Sequence, residues 1–159
     1  MTPQKEETVE QYAYYSALDW YLEIEHDFHT VTGIKLVSAP DFKHTPSPVS
    51  DLAARQLLEY FEGSRITFDF PITLRGTPFQ LTVWKELCSI PYGETRTYSQ
   101  IAAAIGNPKA VRAVGMACNR NPIWIAVPCH RVVGSNQKLT GYAGGLDTKQ
   151  FLLNLERQK

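Results

Sequence analysis

The apolar residues alternate with polar ones over the first forty positions and then change to helical spacing. Three segments rich in Tyr, Ile, Val and Phe predict the strands of a small antiparallel sheet: YAYYSAL (12–18), WYLEIEHDF (20–28) and TGIKLV (32–37). After a Pro/Ser loop, Ser47 as the cap and Pro48 in the first turn predict a helix that ends at Gly63. Its apolar face comprises Val49, Leu52, Leu57, Tyr60 and Phe61. The alternating segment RITFDFPITLRG (65–76) predicts one more strand.

Beyond position 76 the strand signals stop and helix signals repeat. Thr77 and Gln80 form a capping box around Pro78, and the helix that they open has an apolar stripe. The stripe comprises Phe79, Val83, Trp84 and Leu87. A second capping box, from Thr97 to Gln100, predicts a short helix that ends at Gly106. The dipeptide Asn107–Pro108 then predicts the start of another helix, KAVRAVGMA.

Two short helices around a glycine turn are typical of a helix-turn-helix, which also occurs in proteins that do not bind DNA. The change of pattern at position 76 predicts two domains, 1–75 and 76–159. The predicted fold class is therefore α+β: a small N-terminal antiparallel sheet with a helix, followed by a mostly helical C-terminal domain that contains a helix-turn-helix.

Composition places the chain among folded proteins with a real core, since 43% of its 159 residues are apolar and 11% are aromatic. No apolar run approaches the length of a spanning helix, and the polar N-terminus MTPQKEETVEQ lacks a secretory signal. We therefore expect no membrane contact and a cytoplasmic location, associated with the nucleoid if the source is bacterial. Three cysteines at unrelated spacings fit reduced thiols better than a disulfide framework.

The net charge of zero conceals an asymmetry between the two halves. Residues 1–75 contain 6 Lys+Arg and 12 Asp+Glu, a net charge of −6, whereas residues 76–159 contain 10 and 4, a net charge of +6. A basic C-terminal half suggests a polyanionic partner for that half. Chance segregation of surface charge is the alternative interpretation.

The second helix of the predicted pair is rich in small residues around one cation, Arg112. Small residues on a helix usually mark tight packing against a neighbour. They also allow a helix to enter a groove of nucleic acid, with one long cationic side chain in the space of a displaced base. The small residues are Ala110, Ala113, Gly115 and Ala117.

The segment IAVPCHRVVGS (125–135) contains the candidate chemistry, and three interpretations of its Cys129 compete. The first is a small buried hydrophobe, as we expect for Cys88 and Cys118. The second is a zinc ligand, which is disfavoured because the chain has no CxxC and its other histidines lie in the acidic half. We expect no metal and no cofactor.

The third interpretation is a nucleophile, which needs a base because a free thiol is mostly protonated at neutral pH. His130 is that base if a carboxylate orients it, and a bridging water suits two adjacent residues better than direct contact. The carboxylates available in the C-terminal half are Glu86, Glu94, Asp147 and Glu156.

Four blocks of the C-terminal half resemble the O6-alkylguanine-DNA alkyltransferase family, also called methylated-DNA–protein-cysteine methyltransferases. The blocks are TPFQLTVWKEL, IPYGETRTYSQIAAAIGNPKAVRAVG, NPIWIAVPCHRVVG and LTGYAGGLDTKQFLLNLE. The resemblance runs from about Gly76 to Glu156. Together with the other blocks, PCHR followed by valine is highly specific for this family. The N-terminal half resembles the family's sheet-and-helix domain only in outline.

The resemblance implies a role for each matching residue. Cys129 is similar to the alkyl acceptor, His130 to the base that acts through water, and Glu156 to the carboxylate that orients it. Asn121 is similar to the asparagine that supports the cysteine turn. Tyr98 is similar to the tyrosine that crowds the target phosphate and protonates the guanine ring.

The same resemblance implies a minor-groove recognition helix that includes Ala110, Ala113 and Gly115, with Arg112 as the finger that fills the vacated stack. Other residues would bind the flipped guanine or shape its pocket, and these are Val132, Tyr142, Ala143, Gly144, Gly145 and Trp124. The implied domains are an N-terminal structural domain (1–75) and a C-terminal DNA-binding and alkyl-transfer domain (76–159).

The function implied is DNA repair, in which O6-alkylguanine leaves duplex DNA and its alkyl group is transferred irreversibly to Cys129 in a single turnover. The expected partner is double-stranded DNA that contains O6-alkylguanine, with O4-alkylthymine as a second candidate lesion, and the expected state is a monomer. Two alternatives remain, namely a lesion sensor that flips the base without reacting and a Cys-His hydrolase.

Two positions depart from the family pattern. Arg120 lies where relatives often have a small residue, and either a phosphate contact or an internal salt bridge would explain it. Trp124 lies where some relatives have proline, so it either lines the alkyl pocket or serves as a core aromatic residue.

Overall fold

The computed structural model describes residues 10–157. The polar N-terminus and the outer ends of both predicted domains, residues 1–9 and 158–159, lie outside the described residues. The chain starts with an antiparallel sheet of order β1-β2-β3, formed by Gln11–Ala17, Trp20–His26 and Val31–Val37. The alternation of apolar residues therefore predicted all three strands correctly. Leu22 and Ile24 of β2, at alternate positions, are fully buried.

Helix α1, Pro48–Phe61, packs against this sheet. Ser47 and Ser50 form the capping box at its start, and Pro48 takes the first position, as the sequence predicted for Ser47 and Pro48. At its other end, Gly63 has a φ of 83°, a conformation that glycine adopts without strain. The spacing of its apolar residues directs Leu57 and Tyr60 inward, where both are fully buried.

The predicted strand at 65–76 is wrong. Only Ile72 pairs with the sheet, through a single parallel bridge to Val31. The rest of the same β3 edge is taken by a later segment: Ile34 N–H donates to Pro122 O at 2.9 Å, and Trp124 N–H donates to Ile34 O at 3.2 Å. A seven-residue edge shared by two segments leaves neither enough length to form a strand.

Residues 76–157 contain four α-helices, α2 (Pro78–Leu87), α3 (Tyr98–Ala104), α4 (Val111–Asn119) and α5 (Leu146–Arg157). Both predicted capping boxes are present, at Thr77 and at Thr97. Helix α4 starts later than predicted, because Asn107 O accepts from Ala110 N–H and thereby closes a turn before the helix.

Two structural features of this half differ from the sequence prediction. A short parallel pair, β4 (Arg96–Thr97) and β5 (Val132–Val133), occurs where no strand was predicted. The pair spans only two residues on each side, too few for an alternating pattern to show. Cys88 was predicted to be buried but is exposed at the end of α2, whereas Cys118 is buried as predicted.

One continuous apolar core joins the two halves of the chain. It includes Leu22 of the sheet, Leu57 of α1, Trp84 of α2 and Leu152 of α5. Trp84 also donates its indole N–H to Ala117 O at 2.9 Å, which links α2 to α4. The division into two domains at position 76 stays a prediction. Among residues 10–157, no helix is both long and apolar enough to cross a bilayer.

Candidate active site

Cys129 starts a single 3-10 turn, Cys129–Arg131, that follows the segment paired with β3. Asn121 holds this turn from the end of α4: its side-chain oxygen accepts from Ile123 N–H at 3.0 Å, and its Nδ2 donates to Val127 O at 2.8 Å. The same Nδ2 donates to Cys129 Sγ at 3.2 Å. Asn121 therefore fixes the backbone that leads into the turn and contacts the thiol of Cys129. Buried Ile125 has a φ of 74°, a strained conformation for a β-branched residue.

The thiol of Cys129 is buried, with 3% of the residue exposed. Burial raises the pKa of Cys129 to about 11, although the Asn121 hydrogen bond and the nearby Lys149 ammonium lower it in part. The thiolate is therefore a small minority form at neutral pH. The resting group is therefore a thiol, and nucleophilic chemistry at this site requires a base.

His130 and Glu156 form a fully buried pair in which His130 Nε2 lies 2.6 Å from Glu156 Oε2. Burial alone would raise the pKa of Glu156, but hydrogen bonds from His130, Arg131 and Tyr60 outweigh it and hold that pKa well below its usual range. Because the carboxylate is ionised, it assigns the ring proton of His130 to Nε2 and leaves a lone pair on Nδ1.

Burial also lowers the pKa of His130, so its imidazole is neutral at physiological pH. Nδ1 is buried and has no hydrogen-bond partner among residues 10–157. Among residues 10–157, no hydrogen bond joins the His130 ring to Cys129 Sγ. The sulfur instead accepts its hydrogen bond from Asn121, and the ring bonds to Glu156. A buried basic nitrogen one residue from a thiol is suited to accept its proton through a bridging molecule.

Among residues 10–157, the Glu156 carboxylate accepts five hydrogen bonds. Arg131 donates twice, from Nε to Oε1 at 2.8 Å and from Nη2 to Oε2 at 3.1 Å, and Gly93 N–H donates to Oε1 at 3.1 Å. Tyr60 and His130 complete the set on Oε2. The Glu156 carboxylate of helix α5 is therefore hydrogen-bonded both to the cysteine turn and to helix α1.

Lys149 holds the loop that precedes α5, residues 140–145, by hydrogen bonds to its backbone. It is fully buried, and its ammonium donates to Thr140 O at 2.9 Å and to Gly141 O at 3.2 Å. Tyr98, at the start of α3, donates its hydroxyl to the same Thr140 O at 2.9 Å. Burial lowers the pKa of Lys149 and raises that of Tyr98. These two side chains hold the loop next to the helix pair.

The residues assigned to the guanine pocket lie on this loop or beneath it. The rings of Trp124 and Tyr142 are 5.6 Å apart, and a Cβ on Gly144 would lie 2.8 Å from the Trp124 ring, so only glycine fits there. Ala143 is exposed, Gly145 has a φ of 92°, and Val132 is buried in β5. Trp124 is itself buried at 7% exposure, so it both belongs to the core and supports the loop.

Helix α4 presents its predicted DNA-facing residues on the surface. Arg112 and Ala113 are exposed, Ala110 is the cap residue of the helix, and Gly115 faces the ring of Tyr98. Arg112 forms no ion pair with any of residues 10–157. The exposed Arg120 also forms none there, which removes the support for an internal salt bridge at that position.

Three residues of this constellation were not found from the sequence: Tyr60, Arg131 and Lys149. A signal existed for the last two. Arg131 is a cation inside the apolar run that contains Cys129, and Lys149 lies three, four and seven positions before Leu152, Leu153 and Glu156, on the buried face of α5. Tyr60 matched the apolar face of α1, but no local pattern could connect it to Glu156.

Comparison with known proteins assigns this arrangement to a family. Residues 78–158 match the family model described as "6-O-methylguanine DNA methyltransferase, DNA binding domain". A protein from Methanosarcina acetivorans named methylated-DNA--protein-cysteine methyltransferase is 57% identical over 124 residues, 78% of this chain and 80% of that protein. A protein of the same name from Methanosarcina barkeri is 64% identical over 104 residues, 65% of this chain and 66% of that protein, just under two thirds of its length.

Solved structures agree over nearly the whole chain. The O6-methylguanine methyltransferase of Mycobacterium tuberculosis is similar with a TM-score of 0.84 and 42% identity, covering 94% of each chain. The structure described as Mycobacterium tuberculosis OGT in complex with DNA is similar with a TM-score of 0.85 and 45% identity, covering 92% of each chain.

Proposed function

The chain belongs to the family of methylated-DNA–protein-cysteine methyltransferases, and we propose that it repairs O6-alkylguanine in duplex DNA by moving the alkyl group onto its own Cys129. One observation carries the assignment of the acceptor: a single buried turn holds a thiol bonded to Asn121 and, next to it, a histidine bonded to a buried carboxylate. This arrangement supplies both the nucleophile and the base that a resting thiol requires.

The transfer begins with the proton of Cys129, which passes through a water molecule to Nδ1 of His130. The sulfur attacks the alkyl carbon, a C–S bond forms, and the C–O6 bond breaks with its electron pair going to O6 of guanine. Tyr98 supplies a proton to the guanine ring and recovers one from solvent, while the imidazolium of His130 releases the proton of the thiol to solvent, so that the proton lost by the thiol balances the proton gained by guanine. Glu156 stabilises the imidazolium that exists during the step.

The product determines the stoichiometry. A thioether is not cleaved by water, unlike the thioester of a cysteine hydrolase, so the acceptor is consumed after one reaction. Each molecule of protein therefore repairs one lesion.

DNA is the partner of the C-terminal half, in agreement with the family model that covers it and with the similarity to a structure in complex with DNA. In our proposal α3 and α4 act as a helix-turn-helix, and the small residues of α4 enter the minor groove. Arg112 fills the gap in the stack that the flipped nucleotide leaves, because its side chain is exposed and not paired within the described residues. A poorly paired alkylated guanine is extruded at lower cost than an intact one.

The flipped base would bind between the cysteine turn and the loop held by Lys149. Backbone groups of Cys129, Val132 and Ala143 read the guanine edge, while Tyr142, Gly144 and Trp124 shape the space for the alkyl group. O6-alkylguanine is the main lesion in this proposal and O4-alkylthymine is a second candidate. The protein acts as a monomer in the cytoplasm.

A stoichiometry experiment tests the function. Excess duplex DNA with O6-methylguanine is incubated with the wild-type protein, Cys129→Ser and Cys88→Ser, and the lesion that remains is measured by nucleoside analysis. We expect the wild type and the Cys88→Ser control to remove one lesion per molecule and Cys129→Ser to remove none. Binding without any removal by the wild type would support a lesion sensor, and repeated turnover would support a hydrolase.

A further inference from the structure

Tyr60 brings a hydroxyl group from helix α1 to the carboxylate that holds His130. Its side chain is fully buried, and its Oη donates to Oε2 of Glu156 at 2.5 Å across 96 positions of sequence. His130 Nε2 lies 2.6 Å from the same oxygen. The two donors therefore compete for one acceptor atom.

We infer that Tyr60 is a positioning residue for the transfer: by sharing Oε2 of Glu156 with His130, its hydroxyl limits how strongly the carboxylate stabilises a protonated imidazole. The inference rests on the proposed function, in which His130 receives the proton of Cys129. It gives the N-terminal half of the chain a direct part in the chemistry of the C-terminal half.

The number of donors at Glu156 is the physical basis of this competition. An ionised carboxylate offers about four lone-pair sites, two on each oxygen. Oε2 accepts from Tyr60, His130 and Arg131, so three donors share about two sites there. Removal of one donor leaves more of the negative charge available to the others and strengthens their bonds.

We expect the remaining groups around His130 to stay in place when the Tyr60 hydroxyl is removed. Lys149 and Arg131 disfavour the imidazolium and Glu156 favours it. Tyr92 packs edge-on against the Tyr60 ring and beneath the Arg131 guanidinium, and Cys129 precedes His130 in the turn. Phenylalanine at position 60 keeps the ring contacts to Phe61, Phe68 and Tyr92, so the change is confined to one hydrogen bond.

The direction of the effect follows from the charge on the histidine. A stronger bond to Glu156 favours the charged imidazole, so the pKa of His130 rises in Tyr60→Phe. His130 accepts a proton only while it is neutral, and the transfer rate therefore falls as the pH drops through that pKa. We expect the acid limb of the pH-rate profile to move up by about 0.5–1 pH unit, the size of shift that one hydrogen bond to a charged group commonly produces.

The experiment compares three full-length proteins: the wild type, Tyr60→Phe and Tyr92→Phe. Tyr92 is the matched control, because it is a neighbouring half-buried tyrosine whose buried hydroxyl has no hydrogen-bond partner among residues 10–157. Two quantities are measured across the acid-to-neutral range: the second-order rate of methyl transfer from duplex DNA, and the titration of the His130 ring in ¹⁵N-histidine-labelled protein by NMR.

An upward shift of both midpoints in Tyr60→Phe, with Tyr92→Phe like the wild type, supports the inference. Midpoints that coincide with the wild type, or equal shifts in both variants, overturn it. If the wild type transfers no methyl group, the proposed function fails, and the NMR titration still decides the part played by Tyr60. If Tyr60→Phe does not fold, NMR of the wild-type protein replaces the comparison. A Tyr60 hydroxyl proton that is protected from exchange and close to the His130 ring supports the inference, and the absence of such a proton overturns it.

Discussion

At the thiol of Cys129, burial and hydrogen bonding act in opposite directions. Burial keeps the proton on sulfur, while Asn121 and Lys149 make its removal easier. The balance leaves a group that is inert alone and reactive when a neutral base takes its proton. His130 is kept neutral by its own burial, although it is bonded to a carboxylate. In the resting site both the Cys129 thiol and the His130 imidazole are therefore uncharged, and the thiolate forms only when the proton passes between them.

In the proposed function, Trp124 limits how large an alkyl group the pocket accepts. If its indole forms one wall, Trp124→Ala should speed reaction with free O6-benzylguanine by about tenfold or more, the scale on which an apolar pocket discriminates size. Methyl transfer from DNA should change much less. The measurement is a pair of second-order inactivation rates for each variant.

The control for this prediction is Trp20→Ala, since Trp20 is a second tryptophan that lies at the start of β2 and packs against Phe151. Rates for the benzyl and methyl substrates that fall together in Trp124→Ala would mean that Trp124 holds the fold and does not limit the pocket.

At the scale of elements, helix α4 carries the exposed Arg112, which in the proposed function fills the stack that the flipped nucleotide leaves. Arg112→Ala should slow reaction with O6-methylguanine in duplex DNA by about ten- to thirtyfold, equivalent to about 1.4–2 kcal/mol, because nothing then fills the gap in the base stack. Reaction with the free base should be unchanged, because no stack has to be filled. Lys109→Ala, an exposed cation in the turn before α4, is the control. An equal loss on both substrates would contradict the proposed role of Arg112.

Helix α5 and the 140–145 loop form a second functional unit through Lys149. In Lys149→Met the carbonyls of Thr140 and Gly141 lose their common donor, so we expect faster amide exchange across the loop. The methyl-transfer rate should fall by about tenfold or more, since a pocket that is not held in place loses productive geometry. The control is Lys138→Met, which removes an exposed lysine just before the loop. Unchanged exchange with unchanged transfer would show that Lys149 does not hold the loop.

Local signals predicted the elements where the chain carries its own start and stop residues. Ser47, Thr77 and Thr97 each marked a helix correctly, because a capping box is a contact between residues three positions apart. The strand predicted at 65–76 failed for the opposite reason, since the β3 edge that it needed is shared with Pro122 and Trp124. The sharing of Glu156 by Tyr60 and His130 was equally beyond sequence reasoning, because it depends on how distant helices pack.

At the scale of the whole molecule, the charge asymmetry survives folding. The buried charges Arg131, Lys149 and Glu156 compensate one another in part, and without them the C-terminal half still has 8 Lys+Arg against 3 Asp+Glu. We expect the logarithm of the duplex-DNA binding constant to fall linearly with the logarithm of salt concentration, with a slope of about −0.9 for each phosphate neutralised. Reaction with the free base should show no such slope. A binding constant that is insensitive to salt would contradict a DNA-binding role for the basic half.

The central claim, that Cys129 is the alkyl acceptor, is tested most directly by peptide mass spectrometry of the full-length protein after incubation with duplex DNA that contains O6-methylguanine. We predict that the peptide with Cys129 gains the mass of one methylene and keeps it through extended incubation in buffer, while the peptides with Cys88 and Cys118 keep their original mass. A gain on either of those two cysteines, a gain that water removes, or an unmodified protein with the lesion still in the DNA would contradict the account.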